Sequence, residues 1–194
     1  KGIVFGDIGC HDAGSFKPLE LQSTIYCIGS SVPMATGALF AGEKRPVFSI
    51  IGDSTLFHLG LAGLINASYQ NGKQVVILCD NGTTAMTGFQ PHAGSGVNLY
   101  GENATKVDID KLGEAIGVSV HHVDPYDINE TYKTLKKVLK EQGVSLVVAS
   151  QPCYLRGSRQ GVKLFEPREV HVDQERCNGC MICINDFGCP ALIY

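Results

Sequence analysis

A carboxylate at Asp53 and a carboxamide at Asn81 stand just past two apolar runs, Pro46 to Ile51 and Gln74 to Cys79, with a small-residue helical segment between them. A strand–helix–strand unit lays its two strands parallel, with both C-terminal ends on one edge, so these two side chains face one small volume. Hard oxygens there, beside Gly52 and a helix N-terminus near Ser54 or Thr55, suit a magnesium ion carrying a pyrophosphate. Magnesium takes few protein ligands and fills its shell with phosphate oxygens. The helix end offers free N–H groups and a favourable dipole. A second constellation comprises Cys177, Cys180, Cys183 and Cys189, followed by Pro190. Two Cys-x-x-Cys steps ending in Cys-Pro read as an iron–sulfur run, because thiolates at this spacing wrap one cube. The final interval is five residues, where three is usual, and zinc is the rival metal.

The elements that position these groups follow from hydrophobic pattern. Residues 3 to 9 predict a short strand ending at Gly9, and Thr24 to Cys27 a second one. A helix is expected from about Val32 to Ala41, with Pro33 in its first turn, Ser30 or Ser31 as N-cap and Gly42 past its end. Near-continuous apolar runs such as 46–51 and 73–79 are what strands buried on both faces look like. The helix between them, 54–70, should press Gly60, Ala62, Gly63 and Ala67 against the sheet, and its His58 reads equally as a core or an active-site histidine. Residues 81–107 are too long for a plain connection, and a loop of that length in a compact domain is usually functional. Beyond it come helix 109–116, strand 118–123, helix 128–142 with one apolar face at 128, 132, 135 and 138–139, and strand 145–150. This alternation makes the fold class α/β, a doubly wound parallel sheet over 1–153, with a polar linker at 154–172 and a short iron–sulfur segment at 173–194.

Gly52-Asp53-Ser54, with Asn81 placed 27 positions beyond Ser54, resembles the thiamine-diphosphate-binding pattern, usually Gly-Asp-Gly followed by Asn-Asn. Ser54 replaces the third glycine and Asp80 the first asparagine, departures like those of the 2-oxoacid:ferredoxin oxidoreductases. The stretch Thr84-Ala85-Met86-Thr87-Gly88-Phe89-Gln90-Pro91-His92 resembles the indolepyruvate ferredoxin oxidoreductase alpha subunits. The resemblance runs from Gly6-Asp7-Ile8-Gly9-Cys10 to the cysteine run. It implies thiamine diphosphate, Mg2+ and [4Fe-4S] clusters as cofactors. Asp53 and Asn81 would ligate magnesium by side chain and Thr83 by its carbonyl, while Gly52 and Ser54 cradle the diphosphate. Gly29, Ser30 and Ser31 would approach the diphosphate or pyrimidine, the alternative being a plain helix cap, and Met86 and Thr87 would belong to the cofactor pocket. The implied reaction is oxidative decarboxylation of a 2-oxoacid, an arylpyruvate such as indolepyruvate, to acyl-coenzyme A, with electrons passed to ferredoxin. The glutamate that activates the aminopyrimidine would come from a separate pyrimidine-binding domain, and a second, beta subunit is expected. Cys10 and Cys153 have two readings: small buried residues, or half of a proximal cluster. The rival functions are a non-oxidative thiamine-diphosphate decarboxylase and a ferredoxin-like electron carrier on an α/β binding module.

Composition narrows the class. The net charge is −3, and the 16 basic residues form no run except Lys133 to Lys140, whose spacing fits a solvated helix face, so nucleic acid is not an expected partner. No apolar run approaches the roughly 18 residues of a membrane span, and the expectation is a soluble, cytoplasmic protein. Eight cysteines in such a chain argue for cluster chemistry over a disulfide framework. Lys1 in place of methionine, running directly into Gly2-Ile3-Val4-Phe5, and an end five residues after Cys189 give the expectation of a piece of a longer protein.

Overall fold

The computed structural model describes residues 2–163, 165–166 and 171–188. Cys189, one of the expected cluster ligands, lies outside them. The apolar runs form one six-stranded sheet in the order β2-β1-β3-β4-β6-β5, with every pairing parallel. Its strands are β1 (Ile3–Gly6), β2 (Thr24–Ile25), β3 (Val47–Gly52), β4 (Val75–Asp80), β5 (Ser119–Val123) and β6 (Ser145–Ser150). The central pair is in register as Ile50 with Ile77 and Gly52 with Cys79, which sets the residues after β3 and β4 side by side. After β2 the chain crosses back to the other side of β1, so the strand order reverses between β1 and β3. Ligand crevices of open α/β sheets form at such a reversal, beyond the strand C-termini.

Helix α1 (Ser31–Phe40) follows β2, α4 (Ile109–Ile116) precedes β5 and α5 (Ile128–Val138) lies between β5 and β6. Between β3 and β4 the helix runs as α2 (Asp53–Thr55), a π-helical turn (Leu56–Gly60) and α3 (Leu61–Tyr69). One core cluster joins Val32, Ile51, Leu56, Leu64, Ala67, Val76, Leu78, Leu146 and Val148, and a second joins Val138 of α5 to Val75, Val123 and Val147 of the sheet. Asp108 caps α4 by accepting from the Asp110 and Lys111 N–H groups, and Gly117 ends it in the left-handed conformation that glycine adopts without strain.

Several expectations need correction. Strand β1 stops at Gly6 because the Asp7 carboxylate turns inward to accept backbone N–H groups of another segment. Strand β2 keeps only two residues. Gly60 and Ala67 pack as expected, but Ala62 is exposed and Gly63 faces Pro33 of α1, not the sheet. Only the C-terminal half of α5 packs through Leu135, Val138 and Leu139. Ile128 and Tyr132 are exposed. The stretch expected as a linker opens with helix α6 (Tyr154–Arg159), and α7 (Ile182–Asn185) sits within the cysteine run. Among the described residues no helix is long and apolar enough to cross a membrane.

Candidate functional site

At the strand reversal a cavity of about 560 Å3 opens on the C-terminal edge of the sheet. Ile8, Gly9, Cys10 and His11 line it from beyond β1, Gly52 to Thr55 from the end of β3, and Cys79, Asn81 and Thr83 to Thr87 from β4 and the loop after it. Asp53 and Asn81 therefore meet as their spacing implied.

Asp53 is only 4% exposed. Its Oδ2 accepts the Gly82 N–H at 2.8 Å and the Asn81 N–H at 3.1 Å, and the His92 ring Nε2 lies 3.1 Å away. Among the described residues its Oδ1 accepts only the Ser54 N–H, at 2.7 Å. Burial alone would push this carboxyl up. His92 and the backbone N–H groups of Ser54 and Gly82 outweigh burial and hold it below the usual carboxylate range. The result is a buried anion with one oxygen anchored and the other lightly used, which suits a hard cation. Asn81 Oδ1 accepts the Thr83 N–H at 3.1 Å, closing a tight turn that keeps both residues at the cavity. Among the described residues nothing beyond its chain neighbours lies within 4 Å of where a side chain on Gly52 would begin, so its backbone is open to a ligand. These donors fit magnesium and a diphosphate.

The loop after Asn81 is folded back on itself. Thr84 pairs with Gln90, and the Thr87 hydroxyl donates to Gln90 Oε1 at 2.6 Å, which presents Ala85, Met86 and Thr87 to the cavity. Gly29, Ser30 and Ser31 do not line it, although the neighbouring Ile28 does. Gly29 and Ser31 donate their N–H groups to Asp7 at 2.8 and 3.0 Å, and Ser30 donates to the Cys27 carbonyl, so these amides are not free for a phosphate. Asp7 is fully buried and sequence reasoning gave it no role. Its signal was a carboxylate one residue past a strand-end glycine, the same placement as Asp53.

His58 is not a core histidine: it is exposed on the cavity rim, on the π-helical turn. Such turns are frequent at functional sites. His11 lines the same cavity with its pKa lowered by burial, against the opposing pull of Asp12 and Asp7. Burial, with a smaller push from Asp53, raises the Cys79 thiol to about 11. At pH 8 only about one Cys79 in a thousand is then thiolate, against roughly a quarter of an ordinary cysteine of pKa 8.5. In apoprotein alkylated with iodoacetamide at pH 8, Cys79 should be labelled far more slowly than the exposed Cys10 and Cys27. Equal labelling by peptide mass spectrometry contradicts this.

Cys10 is exposed and lines the large cavity, whereas Cys153 lines a neighbouring one with Asp80, Lys106 and Arg156. Asn81 borders both cavities, and the two thiols line different ones. Cys177, Cys180 and Cys183 are exposed. Among the described residues no three His, Cys, Asp or Glu side chains are gathered as a metal-binding group.

A doubly wound parallel sheet with an acidic oxygen site at its strand reversal defines a diphosphate-binding α/β domain. The chain belongs to the thiamine pyrophosphate enzymes, matching their C-terminal TPP binding domain over residues 7–149. It is 38% identical to indolepyruvate oxidoreductase subunit IorA of Pyrococcus horikoshii, over all of this chain and 32% of that protein. It is 39% identical to the subunit of the same name from Methanothermobacter marburgensis, over 96% of this chain and 29% of the other. The chain thus spans about a third of the length of these curated relatives. Its fold is similar to that of a 2-oxoglutarate:ferredoxin oxidoreductase from Magnetococcus marinus solved with 2-oxoglutarate, coenzyme A and succinyl-CoA bound. The TM-score is 0.67 at 18% identity, covering 79% of this chain and 55% of that one. A thiamine diphosphate-dependent 4-hydroxybenzoylformate decarboxylase from Rhodococcus jostii RHA1 has a TM-score of 0.55 at 20% identity, covering 78% and 30%.

Proposed function

We propose that this chain is the diphosphate-binding part of a 2-oxoacid:ferredoxin oxidoreductase of the indolepyruvate type, converting an arylpyruvate to its acyl-coenzyme A with ferredoxin as electron acceptor. The observation that carries the reading is the buried Asp53 carboxylate, with Oδ1 lightly used, beside Asn81 and Thr83 on one cavity wall. Asp53 Oδ1, the Asn81 side chain and the Thr83 carbonyl hold Mg2+. Gly52 and Ser54 seat the diphosphate, and Met86 and Thr87 close its side of the pocket. Thiamine diphosphate, when bound, supplies the carbanion chemistry for attack on a 2-oxoacid carbonyl.

The apolar Ile28, Leu59 and Met86 line the cavity yet are about half exposed, which fits a pyrimidine-binding domain covering them and bringing the activating glutamate. A beta subunit completes the enzyme. Cys177, Cys180 and Cys183 supply thiolates to a [4Fe-4S] cube at the spacing such cubes use, with Cys189 as fourth ligand or as a ligand of a second cube. This run separates the reading from a non-oxidative decarboxylase, whose chemistry leaves it without a purpose. The bare electron carrier leaves Asp53 and Asn81 without one.

The test uses the full-length protein, purified without oxygen. Thiamine diphosphate should bind only with Mg2+ present, the dithionite-reduced protein should give an iron–sulfur resonance signal, and arylpyruvate with coenzyme A should reduce ferredoxin. Zinc in place of iron and sulfide, or thiamine diphosphate binding indifferent to Mg2+, would sink the proposal.

A further inference from the structure

We propose that His92 is a positioning residue for the metal, fixing Asp53 Oδ2 so that Oδ1 is left to face the cation. The inference rests on the reading of Asp53 as a magnesium ligand and adds a residue from a different part of the chain.

The protonation pattern of the ring follows from its neighbours. Gly94 donates its backbone N–H to His92 Nδ1 at 3.1 Å, so Nδ1 is the acceptor and the ring proton sits on Nε2. Nε2 lies 3.1 Å from Asp53 Oδ2. The contact is close but bent, short of a linear hydrogen bond. Both side chains are almost sealed, the imidazole 1% and the carboxylate 5% exposed, so water competes little for either group. With Asn81 and Gly82 also donating to Oδ2, that oxygen has three N–H neighbours and Oδ1 has one. A carboxylate held this way keeps one orientation, and Oδ1 is the lightly used oxygen of a side chain that lines the cavity.

The ring and the backbone that carries it are both held by neighbours. Phe57, on the π-helical turn, stacks on it at 5.7 Å between centroids and 25° between planes. The His92 backbone N–H donates to Ser95 Oγ at 3.2 Å, and that hydroxyl donates back to the His92 backbone carbonyl at 2.7 Å. Gly94 permits the packing: a Cβ there would sit 2.6 Å from Phe57 Cε2 and 3.1 Å from His92 Cε1, closer than side chains tolerate. His92, Gly94 and Phe57 thus act as one unit that joins the loop after β4 to the helix after β3. Hydrogen-bond partners that orient a metal's ligand commonly cost about 10–100-fold in metal affinity when removed.

The experiment titrates Mg2+ into full-length apoprotein with thiamine diphosphate in excess, read by calorimetry, for wild type, His92→Phe and His92→Gln. Phenylalanine keeps the stack on Phe57 and removes the donor. Glutamine returns an N–H near the Nε2 position, and both variants lose the Nδ1 acceptor, so their difference isolates the donor. His92→Phe should raise the magnesium midpoint about 10–100-fold, leave thiamine diphosphate affinity at saturating Mg2+ close to wild type, and barely change the melting temperature. His92→Gln should recover most of the midpoint. If His92→Phe does not fold, Gly94→Ala displaces the same ring and should shift the midpoint in the same direction. A midpoint within about twofold of wild type in His92→Phe, or in Gly94→Ala where it stands in for it, overturns the inference. So do equal losses in His92→Phe and His92→Gln, which mark a packing role. A wild-type protein with no magnesium dependence overturns the site assignment itself, and is recognised because no variant is needed to see it.

Discussion

Replacing Asp53 with alanine removes magnesium-dependent thiamine diphosphate binding from the full-length protein, with an affinity loss of about 1,000-fold or more, equivalent to about 4 kcal/mol. Two effects add. The variant loses the only negative charge that the proposed metal contacts from this chain, in a pocket where water screens poorly. It also leaves the Asn81 and Gly82 N–H groups, now bonded to Oδ2 at 3.1 and 2.8 Å, without their acceptor. The Asn81 turn therefore loosens together with the metal site. Asparagine does not rescue: its single oxygen can serve either Oδ2's donors or Ser54 N–H, and its NH2 then faces an N–H on the other side. Calorimetry at saturating Mg2+ decides. An Asp53→Ala protein that melts normally and binds thiamine diphosphate as wild type removes Asp53 from the metal shell.

How much of this was legible in the sequence depends on the range of the interaction. The bounds of α4 and β6 coincide with the expected ones because local signals set them: Asp108 and Gly117 cap the helix, and a Val-rich run fills a strand buried on both sides. The meeting of Asp53 and Asn81 was legible too, since parallel strand–helix–strand geometry leaves few alternatives. The hydrogen bonds that tune the site were not. His92 reaches Asp53 through a loop whose fold depends on the Thr84–Gln90 pairing and the Ser95 hydroxyl, and neither has a periodic signature. The π-helical turn that exposes His58 likewise has no pattern that a 3.6-residue period would detect. The Gly29–Ser31 segment illustrates the opposite error. A Ser-Ser pair before a helix looks like a cap or a phosphate loop, yet the Gly29 and Ser31 amides are turned onto a carboxylate from a distant strand end.

That carboxylate, Asp7, gives the largest expected effect on the fold itself. It has no exposed surface, and it accepts N–H groups from Ile8 at 3.0 Å, Gly29 at 2.8 Å and Ser31 at 3.0 Å. Gly29 needs its positive φ of 80° to bring its amide there, and Ser31 is the first residue of α1, so Asp7 ties the end of β1 to the start of that helix. Bonds to a charged acceptor are worth more than neutral ones, and buried donors left alone are costly, so Asp7→Ala should destabilise the domain by about 4 kcal/mol. Asp7→Asn should cost about half as much, because its oxygen can still serve Ile8 and Gly29 while its NH2 opposes the Ser31 N–H. Hydrogen exchange over residues 28–32 of the full-length protein is the readout, with protection lost in alanine and intermediate in asparagine. Because Ile28 lines the cavity, cofactor affinity should fall in the same order. Unchanged exchange in Asp7→Ala would mean that the helix start holds itself, and the buried carboxylate would then need another explanation.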